Sequence, residues 1–583
     1  MTWAHECIGG RGLGARYMFE EADPSLDPFE PATPLIFATG PLTGTNASCG
    51  ARYMVVTKGP LTGCITTSNS GGHWGPELKF AGYDLLIITG RAPAPSYIWV
   101  HDDEVEVRPA DHLWGLGVWE TEDRLRDDIS DPGAKIASIG PAGENLVRFA
   151  AVMNDKHRAA GRSGVGAVMG SKNLKAIAVR GTRGVPLARP ADFLARQWEK
   201  KASLRDSRGR QSFSKYGTSA TLAPINAIGS LPTRNFQQTV FEKADDISGE
   251  VINEKYVVAT KACFACTIAC GRVSKISDEA GGRFTLHTSP RNWRTAGEGP
   301  EYESMYGFGP EVGVGDPEVL IAGHWLCNDY GMDPISAGAT IGTAMELFQE
   351  GAVGEDVIGG PLVWGDGGKM LQLLEDAAFR RGFGHELAEG SKRLTEKYGR
   401  PELAMVAKGQ EFAAYDPRGL QGRGLSYATS NRGACHLKAE VLRADYKDPS
   451  HVGKGKLVAE SENSVAALDS SGLCLFLTSG STYEDFLAEF NAATGLDYSM
   501  NEFVRAGERV WNIERLFNMR AGIDPSQDTL PPRMLKEPIP SGPREGNVSH
   551  LDEMLVDYYE TRGWDAGRPT ADKLVALGLD GVG

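Results

Sequence analysis

The segment Lys261-Ala-Cys263-Phe-Ala-Cys266-Thr-Ile-Ala-Cys270-Gly carries three cysteines at C-x2-C-x3-C spacing. Thiols at such short intervals can converge on one metal centre. A structural zinc needs a fourth Cys or His at short spacing, and the next His downstream is the distant His287. A cubane iron–sulfur cluster also needs four thiolates, and the fourth can come from a remote segment. Cys474, in Asp469-Ser-Ser-Gly-Leu-Cys474-Leu-Phe, is the candidate. Spacing alone leaves cluster, zinc and chance burial open, with the cluster preferred. Cys7, Cys49, Cys64, Cys327 and Cys435 lack such partners and read as small buried hydrophobes.

One cluster relays single electrons, so two-electron chemistry needs a second group. No dinucleotide fingerprint supplies it. Gly10-Arg-Gly-Leu-Gly has no strand ahead of it, and Gly161-Arg-Ser-Gly-Val-Gly lacks the Lys-Ser/Thr of a P-loop. Glycine is the compositional outlier, with 72 in 583 residues against a usual ~7%. Many sites of close backbone approach fit either a large, flat, polar ligand wrapped by loops or a turn-rich fold.

The rest of the composition excludes several classes. The net charge of −15 and pI near 5.4 oppose nucleic-acid binding and docking on anionic lipid. Hydrophobic residues make up 41%, and no apolar run reaches the ~18 residues of a membrane span. The start, MTWAHECIGGRGLGARY, has no secretory pattern. Nine cysteines, an odd number, fit a reducing compartment, and a cytoplasmic location is expected.

The elements that must hold these residues divide in two. The first 186 residues read as β-rich, with short apolar runs between Gly and Pro at 34–39, 53–57, 84–90, 96–100, 134–140 and 174–179 and one helix at 118–128. After Pro190 helical spacing dominates, at 191–206, 317–329, 334–349, 369–381, 385–398, 483–494, 499–520 and 551–562. The fold class expected is α+β: a β-rich domain over 1–186 and two mainly helical ones over 187–400 and 401–583. Residues 275–295 read as a polar excursion, and no internal repeat is visible.

Ordered blocks along nearly the whole chain resemble the aldehyde:ferredoxin oxidoreductase family, the tungsten (less often molybdenum) bis-pyranopterin enzymes. They are Gly9-Gly-Arg-Gly-Leu-Gly, Gly40-Pro-Leu-Thr-Gly-Thr, Lys58-Gly-Pro-Leu-Thr-Gly, Ser68-Asn-Ser-Gly-Gly-His-Trp-Gly, Arg158-Ala-Ala-Gly-Arg-Ser-Gly, the cysteine motif, Gly299-Pro-Glu-Tyr-Glu, Gly424-Leu-Ser-Tyr-Ala-Thr-Ser-Asn-Arg-Gly-Ala-Cys-His and Asp469-Ser-Ser-Gly-Leu-Cys. The resemblance implies two pseudo-equivalent sheets as a base for the cofactor, covered by two helical domains. Members usually carry further strands ahead of the GGRGL block, which here begins at Gly9.

It also implies site residues. Arg52 would bridge pterin and cluster, a place suited to a fixed, always-charged guanidinium. Asn69 and Gly71 would form one loop on the pterin phosphates and a magnesium ion linking them. Arg158, Ala159 and Gly161 would form the second, with glycine where backbone N–H groups must reach phosphate oxygens. A D-x-x-G-L-(C/D) motif is expected once per pterin. The second copy is intact from Asp469 through Leu473 to Cys474, with Asp469 on the pterin amines. The first reads Asn328-Asp-Tyr-Gly331-Met332-Asp333, where Asn328 or Asp329 would take that role. Lys438 matches a further pterin contact. Cys263, Cys266, Cys270 and Cys474 would ligate a [4Fe–4S] cluster.

The implied reaction oxidises an aldehyde to a carboxylic acid. Glu303 is the expected acid/base, Glu301 its near alternative, and His436 the donor to the substrate oxygen. A carboxylate walled off from water can have its pKa raised toward neutrality, as such a base requires. Electrons would leave singly to a ferredoxin-like protein or subunit, any flavin would sit on a separate chain, and an oligomer is expected. Tungsten-type benzoyl-CoA reductases share the same scaffold and are the alternative function. A zinc-stapled binding subunit is the non-enzyme alternative.

Overall fold

Residues 2–277 and 296–580 are described by the structure, a computed structural model. The expected polar excursion lies, from residue 278 on, outside them. A short helix at Thr2–Cys7 leads into α1 (Gly10–Glu21), and the sheets follow. The first holds β1 (Leu35–Thr39), β2 (Tyr53–Lys58), β3 (Ile65–Ser70) and β4 (Leu85–Ile88) in the order β3-β2-β1-β4, all antiparallel. Helix α2 (Trp74–Phe80) joins β3 to β4.

The second sheet holds β5 (Ser96–His101), β6 (Glu104–Pro109), β7 (Lys135–Ser138), β8 (Val152–Asn154), β9 (Arg158–Ala160) and β10 (Leu174–Arg180), ordered β6-β5-β10-β7-β8-β9. Set aside the β5-β6 hairpin and the remaining order, β9-β8-β7-β10, repeats the first sheet with the same antiparallel pairing. Helix α3 (Val165–Ser171) joins β9 to β10 as α2 joins β3 to β4. A Gly-Pro pair follows the first strand of each unit, at Gly40-Pro41 and Gly140-Pro141. The β-rich half is therefore a structural duplication, the two pseudo-equivalent sheets that the resemblance implies, although no repeat is visible in the sequence itself. What repeats is a backbone path, while the side chains that fill it differ.

The strands form where burial is two-sided. In β1, Leu35 and Phe37 enter the core between the sheets, and Ile36 and Ala38 enter a second core against α1. Side chains alternate faces along a strand, so an unbroken apolar run is what burial on both faces demands. Trp74 seals the middle, its indole N–H donating to the Ile177 carbonyl of the other sheet at 3.0 Å. Four of these ten strands escaped the sequence reading. β3 is rich in Thr, Ser and Asn, β6 is an exposed edge, and β8 and β9 have three residues each.

The predicted helices are present, including Pro190–Asp206, Gly367–Phe379, Tyr483–Thr494 and Leu551–Arg562. Those that reach the centre are α4 (Tyr302–Phe308), α5 (Pro317–Tyr330), α6 (Pro334–Gln349), α7 (Gln421–Thr429), α8 (Lys454–Ser471) and α9 (Met500–Arg520). Asp-Pro starts both α5 and α6, with the Asp side chain accepting the Glu318 or Ile335 N–H and the Pro fitting the first turn. The helix expected at 385–398 is two, broken at Gly390, which takes a positive φ of 85°. Among the described residues no helix is long and apolar enough to cross a membrane.

The helices α5 and α8 end in the same way. Each closes on a left-handed glycine, Gly331 (φ 72°) and Gly472 (φ 87°), whose carbonyl accepts a sheet N–H, from Ala151 at 2.8 Å and Arg52 at 3.1 Å. A Cβ on Gly472 would overlap the Thr43 hydroxyl, whereas one on Gly453 (φ 73°) meets nothing within 4 Å. Gly453→Ala is expected to cost only the ~1–2 kcal/mol of a left-handed Ala. Gly472→Ala is expected to cost ~1–3 kcal/mol more through overpacking. Denaturant unfolding of the two variants measures the difference.

Candidate active site

The two glycine-capped helix ends bring the two motif copies against the duplicated sheets. In the second copy, the Asp469 carboxylate takes the Arg11 guanidinium and the Lys438 ammonium, both at 3.2 Å. The Asn69 amide lies 3.5 Å from its other oxygen. Arg11 is held in a fork by Glu514 at 2.7 Å on both arms, and it lies over the Trp511 ring. Lys438 also donates to the Thr67 hydroxyl at 2.9 Å. Burial, then the Arg11 charge, pull its pKa down to about 8 against Asp469.

In the first copy, the Asn328 amide lies 3.0 Å from Nε2 of His324. Asp329 turns away and accepts the Trp119 N–H at 3.0 Å, so Asn328 is the residue equivalent to Asp469. Asp333, equivalent to Cys474, caps α6 and pairs with Arg162 at 3.1 Å. Met332 and Leu473, the matched apolar positions, are each 1% exposed.

The loops after β3 and β9 are likewise equivalent. Asn69 lies near the end of β3 with Gly71 in the loop after it, and Ala159 lies in β9 with Gly161 in the loop after it. A Cβ on Gly161 would meet only Ala159 at 3.7 Å, so its backbone faces open space. A Cβ on Gly71 would lie 2.9 Å from the Cys263 sulfur, so that loop passes directly under the cysteines.

Cysteines from distant segments lie around Arg52. Arg52 donates to the Cys474 sulfur at 3.0 Å and to the Asn69 carbonyl at 3.1 Å. Burial would lower its pKa, but Cys474, Cys263 and Cys270 raise it instead. Arg158 pairs with Glu298 at 2.7 Å and feels the charges of Cys263, Cys270 and Glu301. Glu301 stands at this end of the site, accepting from the Thr218 hydroxyl. The isolated reading of Cys49 needs correction: its sulfur lies 3.3 Å from that of Cys266. Cys435 too has polar partners, the Arg432 guanidinium at 2.8 Å and the Leu437 N–H at 3.3 Å.

Glu303 and His436 meet at the other end, with Oε1 3.6 Å from Nε2. Their side chains keep 14% and 16% of their surface exposed. The Ala414 N–H donates to Glu303 Oε2 at 3.0 Å. Burial raises the Glu303 pKa from its ordinary 4.5 to about 8 despite that bond. Burial, followed by Arg162, Arg423 and Arg432, holds the His436 imidazole well below 6.5 and hence neutral.

Buried polar atoms without hydrogen-bond partners recur in this part of the chain. They include Glu303 Oε1, His436 Nδ1, Arg423 Nε, Ser426 Oγ, Tyr427 Oη, Ser430 Oγ, Asn431 Oδ1, Arg432 Nε and, from β3, Thr66 Oγ1. Most belong to α7 and the turn after it. Buried polar atoms are normally satisfied, so a concentration of orphans marks a place shaped for something polar. The charge there is positive. Arg423 and Arg432 donate to carbonyls and a sulfur, and neither pairs with a carboxylate among the described residues. Buried cations without counter-charges are costly, and an anionic group is the complement. A phosphorylated, thiolate-rich pterin cofactor fits on both counts.

Sequence reasoning missed Arg11, Arg162, Arg432 and Glu514. Three of them are arginines beside glycine, a pattern that could have signalled a guanidinium drawn into a close-packed turn. Glu514 carries no such signal, because its role is set only when α9 meets α1.

Comparison with known proteins gives the same assignment. The family model for the N-terminal domain of aldehyde ferredoxin oxidoreductase matches residues 1–181, and that for domains 2 and 3 matches 195–579. Tungsten-containing aldehyde ferredoxin oxidoreductases of Pyrococcus furiosus and Pyrococcus abyssi are 47% and 48% identical, each over 99% of this chain and 95% of its own. An aliphatic sulfonate oxidoreductase WOR-like subunit of Pyrococcus furiosus is 29% identical over 98% of this chain and 92% of its own. Among solved structures, the active-site complex of benzoyl coenzyme A reductase with a dienoyl-CoA superposes with a TM-score of 0.86, covering 100% of this chain and 94% of that one. At 24% identity that likeness speaks for the fold alone. Sequence blocks, duplicated sheets and relatives together make this chain a member of the aldehyde ferredoxin oxidoreductase family of oxidoreductases.

Proposed function

We propose that this protein oxidises aldehydes to carboxylic acids on a tungsten bis-pyranopterin. It would release electrons singly through a [4Fe–4S] cluster to a ferredoxin-like acceptor. The observation that carries this reading is the Glu303–His436 pair, set 3.6 Å apart with one unpartnered buried atom on each. The net reaction is RCHO + H2O → RCOOH + 2H+ + 2e−. When bound, the tungsten pterin supplies the two-electron acceptor for the carbonyl carbon.

The side chains do the proton work. Glu303, ionised above about pH 8, takes the proton of the attacking water or hydrate. Neutral His436 donates a hydrogen bond from a ring N–H to the substrate oxygen. That bond strengthens as charge builds on the oxygen, which is the condition for it to accelerate the step. Glu301 is bound to Thr218 at the cysteine end, which favours Glu303 as the base. Asp469 and Asn328 would hold the two pterins. The loops at Asn69–Gly71 and Arg158–Gly161 would receive their phosphates and a magnesium ion, and Arg423, Arg432 and Lys438 would balance the added negative charge.

The quartet supports a cluster over zinc. Zinc–thiolate bonds of ~2.3 Å put the sulfurs of a tetrahedral site roughly 3.8 Å apart. The fourth thiol here comes from a remote segment, which suits a cubane better than a short-spaced zinc site. A cubane spreads its four thiolates wider. The test of the whole reading is an anaerobic assay of the natively purified protein with aldehydes and with benzoyl-CoA, using a viologen as electron carrier. Tungsten, molybdenum, iron and zinc are measured on the same sample.

Outcomes of three kinds are expected: for the cluster, for the acid–base residues and for pH. Cys474→Ala loses or destabilises the cluster, and unchanged iron content and reduced-state EPR would count against the assignment. Glu303→Gln, with metals retained, lowers aldehyde oxidation by at least about a hundredfold, the lower end of general acid–base effects of ~10²–10⁴. His436→Asn also slows turnover, and Glu301→Gln does so less than Glu303→Gln.

The third outcome concerns pH. Turnover rises with pH to a plateau above about 8, and Glu303→Gln removes that rise. The same group has an opposite signature in stability. Its folded pKa of about 8 lies above its ordinary 4.5, so the folded carboxyl holds its proton more tightly than the unfolded one. Its contribution therefore falls as pH rises from 4.5 through 8. Denaturant midpoints of parent and Glu303→Gln across that window isolate it.

A further inference from the structure

We propose that Cys49 is a positioning residue for the cluster, donating its S–H to the sulfur of Cys266 and raising the cluster's reduction potential. The inference rests on the reading that the quartet holds an iron–sulfur cluster, and it concerns a fifth thiol that the ligand set does not use.

The geometry is specific. Cys49 is 2% exposed, and its sulfur lies 3.3 Å from that of Cys266. It adopts a positive φ of 63°, a conformation that non-glycine residues avoid unless their surroundings impose it. The surroundings here are a line of contacts between two loops. The Cys49 N–H donates to the Ala265 carbonyl at 3.2 Å, and the Ser48 and Thr267 hydroxyls share a hydrogen bond. The Ser48 N–H is fixed by Gln197 at 3.1 Å. The Cys49 loop is thus fastened to the cysteine motif on both sides of Cys266, which sets its thiol beside the Cys266 sulfur.

Chemistry then sets the direction of the bond. A thiol that ligates metal has lost its proton, so within this pair Cys49 must be the donor. A hydrogen bond to a cluster sulfur favours the more negative, reduced state, and such bonds are among the main determinants of cluster potential. Arg52 acts on Cys474 from the opposite side of the quartet. Two ligands are thereby polarised, one by a cation and one by a neutral thiol.

The test is an EPR-monitored redox titration of the full-length, metal-loaded protein. Cys49→Ala and Cys49→Val both remove the donor, one leaving space and the other filling it, so failure of either to fold leaves the other to decide. Cys49→Ser restores a donor. The expected result is full iron content in all three. The one-electron equilibrium should move about threefold to tenfold toward the oxidised form in Ala and Val, and tenfold corresponds to ~59 mV more negative. Ser should return most of the shift.

An unchanged potential in the donor-less variants, or an equal shift in Ser, overturns the proposal and leaves Cys49 a packing residue. Loss of iron from Cys49→Ala but not from Cys266→Ala would make Cys49 itself the ligand and also overturn it. A parent protein without iron would refute the cluster reading instead, which keeps the two failures apart.

Discussion

The structure depends on how closely two helix ends approach two sheet turns. Helices α5 and α8 end on Gly331 and Gly472, and each end rests on the Gly-Pro turn of one sheet unit. A Cβ on Gly140 would overlap the backbone of Tyr330, and one on Gly40 would overlap that of Ser471. No side chain can stand between these layers, so the contact fixes sheet against helix with little tolerance. Asn328 and Asp469 ride on the last turn of those helices. Their separation is therefore set by backbone packing, the least adjustable distance available to the protein.

On this frame the chain buries an unusual amount of charge. Some of it is settled internally, as in the Arg11–Glu514 fork and the Arg162–Asp333 pair. The remainder, at Arg423, Arg432 and Arg52, is directed at carbonyls, an amide and sulfurs. Buried ion pairs are a weak source of stability, and isolated buried charges oppose it. The placement makes sense as preparation: fixed positive charges of this kind would reorganise little on meeting an anionic group. The same burial that makes those charges costly lifts Glu303 and, with the charges of Arg162, Arg423 and Arg432, holds His436 neutral.

Much of this was legible in the sequence, for identifiable reasons. Strands buried on both faces announced themselves as apolar runs, and helices opened by Asp-Pro and closed by Gly carried their own boundaries. The cysteine quartet was readable because ligand chemistry restricts residue type. The duplication was expected only through the family resemblance and has no repeat signal of its own, because the two units share a path and a Gly-Pro turn but not their side chains. Arg11 and Glu514 were not legible, because an ion pair between α1 and α9 has no local signature. The neighbours Glu301 and Glu303 look alike in sequence and diverge only in space, one bound to Thr218 and the other beside His436. Cys49 was read as bland for the same reason, since proximity to Cys266 is a property of the fold.

The duplication also has a consequence for direction. Two halves with the same strand order and the same helix ends offer two equivalent seats, and by backbone alone nothing distinguishes them. The equivalence is broken at one position after each capping glycine, where one half has Cys474 and the other Asp333. The sulfur looks toward Arg52 and the other cysteines, whereas the carboxylate is spent on Arg162 and the start of α6. A near-symmetric cradle thus acquires a polarity, with thiols gathered on one side and a paired carboxylate on the other. On the proposed function, the thiol side is the one through which charge would leave.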